Sequence, residues 1–300
     1  MIQTFDAALP HGITLSCRAT GRPGLPVLLF AHGFPEAAFV WDELLEHFGD
    51  RYRCIAPNLR GYEKSSSPPE VEAYRVKHLM ADLAALIDQQ AGGQVEALIA
   101  HDWGGAVAWN LAAQLPEKLK RLVIVNSPHP ATFLRELQHN PQQQAASAYM
   151  NFLCRADAEA LLAENDYARL WPFFVNMGAT DPAHPGGGWL TDAVRDRYRA
   201  VWGAGLTGGC NYYRAAPLRP PTAADASVLK LGLPPDFCTV RLPTLVIWAE
   251  GDIALPVQLL DGLEAHVPQM RLLRVPGATH WIVHERPQWI AAEVERELAH

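Results

Sequence analysis

Val95-Glu96-Ala97-Leu98-Ile99-Ala100, then His101-Asp102-Trp103-Gly104-Gly105, then Ala106-Val107-Ala108-Trp109-Asn110-Leu111-Ala112-Ala113 is the stretch that decides the fold. The first run is apolar and short enough for a buried strand, and the last reads as a helix of small residues. Ala100, Gly104 and Gly105 leave little bulk where the two meet, so the strand can turn sharply into the helix as a nucleophile elbow does. Serine is the usual residue at such a tip. Here it is Asp102, and a carboxylate there changes the chemistry.

Outward from this stretch, apolar runs alternate with helical patterns. The runs are Val27–Phe30, Tyr52–Ile55, Leu98–Ile99, Leu122–Val125, Leu245–Trp248 and Leu272–Val275. Val76, Leu79, Met80, Leu83, Ala84 and Ile87 mark one face of a helix between the second and third. Continuous apolar strands alternating with helices predict a mostly parallel sheet covered on both faces. Thr4–Phe5 and Ile13–Ser16 are expected as antiparallel edge strands. The alternation stops between about Pro130 and Arg241, where helical segments (142–153, 157–163, 192–202) are joined by Gly/Pro-rich connectors. The expected organisation is a core domain of residues 1–129 and 241–300 with a helical cap (lid) of residues 130–240. Sites in open α/β sheets lie at the carboxyl ends of the strands, which the cap would roof.

The 300 residues are 49% hydrophobic and carry a net charge of −7, with a pI near 5.9. An acidic chain argues against nucleic acid or an anionic membrane as partner. No signal peptide and no run of transmembrane length is visible, so a cytoplasmic location is expected. Cys17, Cys54, Cys154, Cys210 and Cys238 lack metal-binding spacing and fit reduced thiols. Neither a metal nor a cofactor is called for, and oligomeric state is unreadable.

At a helix amino end, Asp102 is expected to be ionised and needs no base to act as nucleophile. Attack on an electrophilic carbon gives an alkyl ester, and hydrolysing that ester does need a base. His280, in Gly277-Ala278-Thr279-His280-Trp281, follows the last strand. Asp252 follows the Leu245–Trp248 strand and is placed to orient the imidazole, whereas strand alternation turns Glu250 the other way. The order Asp102, Asp252, His280 is the nucleophile, acid, histidine order of the α/β-hydrolase fold. The backbone N–H groups of Phe34 and Trp103 are candidates for the oxyanion hole. His32, Trp103 and Trp281 are candidate pocket residues, although His32, like His129, also reads as structural.

His32-Gly33-Phe34-Pro35-Glu36, His101-Asp102-Trp103-Gly104-Gly105, Asn126-Ser127-Pro128-His129-Pro130 and His280-Trp281, in this order, resemble the epoxide hydrolases of the α/β-hydrolase fold. The resemblance covers nearly the whole core and implies a small hydrophobic epoxide and water as substrates. It also implies two cap tyrosines that hold the epoxide oxygen. Gly209-Cys210-Asn211-Tyr212-Tyr213-Arg214 is similar to the family's Asn-aromatic-Tyr-Arg motif and puts one on Tyr213. Tyr149 is the candidate for the other, and a shifted alignment puts Phe152 there instead. A phenol is protonated at neutral pH and can give its proton to the alkoxide. Asn58 and Glu63 stand where relatives usually have Asp and Gly, and read as scaffold variation.

Haloalkane dehalogenases share the Asp, the His and the Trp, but they commonly hold halide with an Asn where this chain has Phe34. Some carry their third acid at the position of Asn126. Fluoroacetate dehalogenases carry Arg where this chain has Trp103. A haloalkane or haloacetate dehalogenase is the alternative function, and a non-catalytic small-molecule-binding member of the superfamily is a further one. An esterase is disfavoured, because carboxylate attack on an acyl group would give an anhydride.

Overall fold

In the computed structural model, residues 1–234 and 236–299 are described. Eight strands, β1 (Gln3–Ala8), β2 (Thr14–Thr20), β3 (Val27–Ala31), β4 (Arg53–Pro57), β5 (Ala97–His101), β6 (Leu122–Val125), β7 (Thr244–Ala249) and β8 (Met270–Val275), form one sheet. Their order is β1-β2-β4-β3-β5-β6-β7-β8. β1 and β2 pair antiparallel, as do β2 and β4, and all the remaining pairs are parallel. β5 lies between β3 and β6, and all five of its residues are buried. Burial on both faces is why it reads as an unbroken apolar run.

Helices α1 (Asp42–Phe48), α2 (Val76–Ala91) and α3 (Asp102–Gln114) belong to the first half of the chain. Seven more described helices separate β6 from β7: α4 (Pro130–His139), α5 (Pro141–Ala146), α6 (Tyr149–Leu153), α7 (Ala158–Tyr167), α8 (Trp171–Val175), α9 (Asp192–Gly203) and α10 (Thr207–Ala215). Helices α11 (Ile282–Glu285) and α12 (Pro287–Leu298) close the chain. None of the described helices is long and apolar enough to cross a membrane.

Two helical expectations change. The single helix expected over 142–153 is divided into α5 and α6, with Ser147 and Ala148 in the break. On α2, Leu79, Met80, Leu83 and Ile87 are buried, but Val76 is 39% exposed. Val76 is the first residue of that helix and projects past the core.

The elbow between β5 and α3 is tight. Asp102 has φ 48°, in the left-handed region that a residue with a Cβ enters only at a cost. A Cβ on Gly104 would come within 2.3 Å of the Ala31 carbonyl oxygen, so only glycine lets α3 approach β3 this closely. The Ser127 hydroxyl donates to the Asp102 carbonyl at 2.6 Å and braces the turn from β6.

Helix α10 is seated on the core by a second close approach. A Cβ on Gly208 would meet the Gly61 carbonyl oxygen at 2.2 Å. The Tyr212 hydroxyl donates to the Arg60 carbonyl at 3.0 Å, and the Arg60 guanidinium is bound through two nitrogens to buried Asp82 at 2.6 and 2.8 Å. A bidentate, well-packed pair of this kind is a rigid support, and it carries the segment that contains Tyr213.

Candidate active site

Asp102 at the end of β5, Asp252 after β7 and His280 after β8 come together beyond the carboxyl edge of the sheet. His280 Nδ1 lies 2.6 Å from Asp252 Oδ2, and its Nε2 lies 3.8 Å from Asp102 Oδ2. The imidazole therefore bridges the two carboxylates. Burial works against its charged form, but Asp252, Asp102 and Glu36 overcome that penalty and push its pKa up to about 9.

Two backbone N–H groups of Ala254 and Leu255 donate to Asp252 Oδ1 at 2.8 and 3.0 Å. Asn126 Nδ2 donates to its other oxygen at 3.0 Å. Burial disfavours the Asp252 carboxylate, yet His280, Asn126 and the Ala254 amide together hold its pKa below the ordinary value. Asp102 moves the opposite way. Burial lifts its pKa above the ordinary aspartate value, opposed by His280, by His101 and by the Phe34 and Trp103 amides. Removal from water outweighs the helix end, whose Trp103 amide favours the charged form. The Phe34 N–H donates to Asp102 Oδ1 at 2.7 Å, so β3 and β5 meet at this oxygen.

A cavity of about 330 Å³ is bounded by Phe34, Asp102, Tyr149, Tyr213, His280 and Trp281, among others. Tyr149 and Tyr213 face each other edge-on with centroids 6.0 Å apart. Tyr213 also stands edge-on to Phe34 at 5.3 Å and to Trp103 at 5.0 Å. Burial raises the pKa of both phenols, and the Asp102 charge adds to it, so both are protonated at neutral pH. Phe152, the alternative to Tyr149, does not line the cavities beside Asp102. Trp281 closes one wall and donates its indole N–H to the Phe173 carbonyl at 2.8 Å. Glu250 points away and pairs with Arg274 at 2.6 Å.

His32 is a correction. Its Nε2 accepts from the Leu59 N–H at 3.0 Å, so Nδ1 carries the hydrogen toward the Gly33 carbonyl at 2.9 Å. Burial lowers its pKa to about 4, against Gly33 and Glu36. Both ring nitrogens are committed to the backbone behind Phe34, and the ring does not line the cavity. Asn58, the departure noted beside it, accepts from the Ala38 N–H at 2.8 Å and donates to Glu63, the other departure.

Sequence reasoning missed three supports of the site. Glu36 and His101 form a fully buried pair at 2.9 Å, and His101 Nε2 lies 2.9 Å from the His280 carbonyl oxygen. Despite burial, His101 and then His284 hold the Glu36 pKa below the ordinary value. The signal was present as a second ionisable residue in each of two strand-end motifs, Glu36 beside His32 and His101 beside Asp102. Asn126 is the third. Its Oδ1 accepts from the Ala249 N–H at 2.8 Å while Nδ2 reaches Asp252, which ties β6 to the loop carrying the acid. Asn126→Ala leaves a buried Asp252 oxygen short of a donor and is expected to cost about 1–3 kcal/mol of stability, read as a lower denaturation midpoint.

Residues 26–287 match the family model described as the alpha/beta hydrolase fold. An AB hydrolase superfamily protein of Bacillus subtilis, YfhM, is 37% identical over 92% of this chain and 91% of its own length. Mouse epoxide hydrolase 4 is 30% identical over 92% of this chain and 74% of its own. Among solved structures, an epoxide hydrolase from hot-environment metagenomes superposes with a TM-score of 0.84 at 35% identity, covering 99% of both chains. The Bacillus megaterium epoxide hydrolase, solved with an inhibitor, gives 0.86 at 27% identity over 99% of this chain and 100% of that one. The chain belongs to the α/β-hydrolase fold family and groups there with the epoxide hydrolases.

Proposed function

We propose that this protein hydrolyses an epoxide to a vicinal diol through a covalent ester on Asp102, with residues 130–240 acting as the cap over the site. The observation that carries the reading is one cavity in which a carboxylate, a carboxylate-bound histidine and two protonated tyrosines face the same space. The epoxide character of the relatives supports it.

In the first step Asp102 Oδ2 attacks a ring carbon. The C–O bond of the ring breaks, and Tyr213 or Tyr149 gives its phenolic proton to the departing oxygen. Esterification removes the negative charge of Asp102, one of the groups that hold the His280 pKa high. The imidazolium then gives up its proton through solvent to the tyrosinate left by the first step. This restores the phenol and leaves a neutral imidazole to act as the base. In the second step His280 Nε2 takes a proton from water, and the oxygen of that water attacks the ester carbonyl. The resulting oxyanion faces the Phe34 and Trp103 N–H groups. Collapse breaks the bond between the carbonyl carbon and the diol oxygen, which receives the proton from the imidazolium. The Asp102 carboxyl so formed returns its proton to His280, restoring the carboxylate and the imidazolium.

A single turnover in ¹⁸O water tests the route, with styrene oxide and a halogenated alkane run side by side. First-turnover diol is expected to be unlabelled, because its new oxygen comes from Asp102 and the label enters the carboxylate. Label in that diol would refute the ester, and halide release without diol from the epoxide would favour the dehalogenase reading. Tyr213→Phe is expected to lower kcat with styrene oxide about 10²-fold, within the range for loss of a general acid. Tyr149→Phe is expected to have a similar or smaller effect, and the double variant to lose turnover. Full activity in Tyr213→Phe would remove Tyr213 as a proton donor, and full activity in the double variant would remove the tyrosines from the scheme.

A further inference from the structure

A second cavity, of about 230 Å³, meets the first at Asp102, Tyr149 and Tyr213, which line both. Apart from these shared residues, their linings have nothing in common. The first passes Met177 and reaches Ile253, 58% exposed. The second runs over α3 past Leu218 to Phe237 and Val76, 42% and 39% exposed.

Those three residues account for half of the exposed large apolar side chains among the described residues. Of the others, Val175 adjoins Asn176 on the wall of the first cavity and Leu229 lies two residues from Leu231 on the wall of the second. Only Met1, at the chain start, stands apart. Scattered exposed hydrophobics need no explanation, but their concentration on and beside the linings of two joined cavities points to apolar ligand. Neither lining contains a lysine or arginine. The one cationic group on the path, the His280 imidazolium, is already paired with Asp252 and Asp102, so no free cation is there to hold a carboxylate tail.

Resting on the epoxide reading, we propose that the preferred substrates are mid-chain epoxides bearing a neutral, apolar substituent on each ring carbon. The ring lies at the junction beside Asp102 and under the two tyrosines, with one substituent in each arm. A terminal epoxide of the same size fills one arm and leaves the other without its apolar contact. Filling both arms buries more apolar surface around the reacting carbon, which favours the internal isomer despite its more crowded ring.

The test compares cis-5,6-epoxydecane with its isomer 1,2-epoxydecane on the purified enzyme. The internal isomer is expected to have a kcat/KM higher by about fivefold or more, within what apolar pocket contacts supply. Leu218→Trp narrows the second arm and Met177→Trp the first, and each is expected to reduce the internal-to-terminal ratio. Methyl 9,10-epoxyoctadecanoate is expected to exceed the free acid. A terminal preference in the unmodified enzyme, or preference for the acid over its ester, overturns the proposal while leaving epoxide hydrolysis in place. Turnover of neither decane isomer nor styrene oxide overturns the epoxide reading and this inference with it. The comparison on the unmodified enzyme decides the matter even where a tryptophan variant does not fold.

Discussion

Asp102→Ala is expected to abolish epoxide turnover, lowering kcat on the order of 10⁴-fold or more, as removal of a covalent nucleophile does. No neighbouring group replaces it. Asp252 is committed to His280, Asn126 and two backbone amides, and both phenols are held protonated by burial. The same variant has a readout independent of activity. Asp102 is one of three carboxylates that push the His280 pKa up to about 9. Its removal is expected to lower that pKa, which NMR titration of the imidazole measures. The pKa should remain above that of a buried unpaired histidine, because Asp252 stays 2.6 Å away. Circular dichroism matching the unmodified protein would show that loss of activity is not loss of fold. Retained turnover would remove Asp102 from the mechanism.

His280→Gln is expected to separate the two chemical steps. Asp102 keeps the Phe34 N–H on its Oδ1, so attack on the ring persists, slowed by loss of the imidazolium beside it. Ester hydrolysis loses its base and is expected to fall about 10³-fold, within the range for general-base catalysis. The protein should then gain the mass of one substrate molecule, with the adduct on the peptide containing Asp102. Absence of any adduct together with continuing turnover would contradict the assigned role.

The same residue makes stability depend on pH. His280 has a folded pKa raised to about 9, whereas an unfolded histidine titrates near ~6.5. The folded state therefore binds the proton more tightly. Its stabilising contribution is fully present below ~6.5 and is lost as pH rises through about 9. The denaturation midpoint of the unmodified protein is expected to fall between those pH values, and to fall less in His280→Gln.

Much of this molecule is legible one residue at a time. β5, β6 and β7 announce themselves because parallel strands buried on both faces need continuous apolar side chains. The elbow is legible because only small residues clear the Ala31 carbonyl. Other parts are not. Helix α10 begins Thr207-Gly208-Gly209, a poor helical start by propensity, and forms where Gly208 meets Gly61. Helices α4 and α8 carry proline in the first turn, which is compatible with a helix start but reads equally as part of the Pro-rich connectors around them. His32 reads as a pocket residue from its motif, yet two backbone groups capture its ring. Asn126 reads as the place of a missing acid and instead holds the acid that is present.

By itself the sequence determined the chemistry that is available. An aspartate at a strand-to-helix turn can form an alkyl ester, and a histidine after the last strand can serve its hydrolysis. These follow from residue identity and chain order. Only the tertiary structure decided which groups meet. Asn126 and Asp252 are 126 positions apart and Asp102 and His280 are 178 apart, so packing of the sheet and the helices over it sets their distances. Burial, which local sequence does not specify, lifts the Asp102 pKa against the helix end and keeps both tyrosines protonated. The two cavities likewise exist only where separate elements leave space between them, and they turn a reactive carboxylate into a site with two arms.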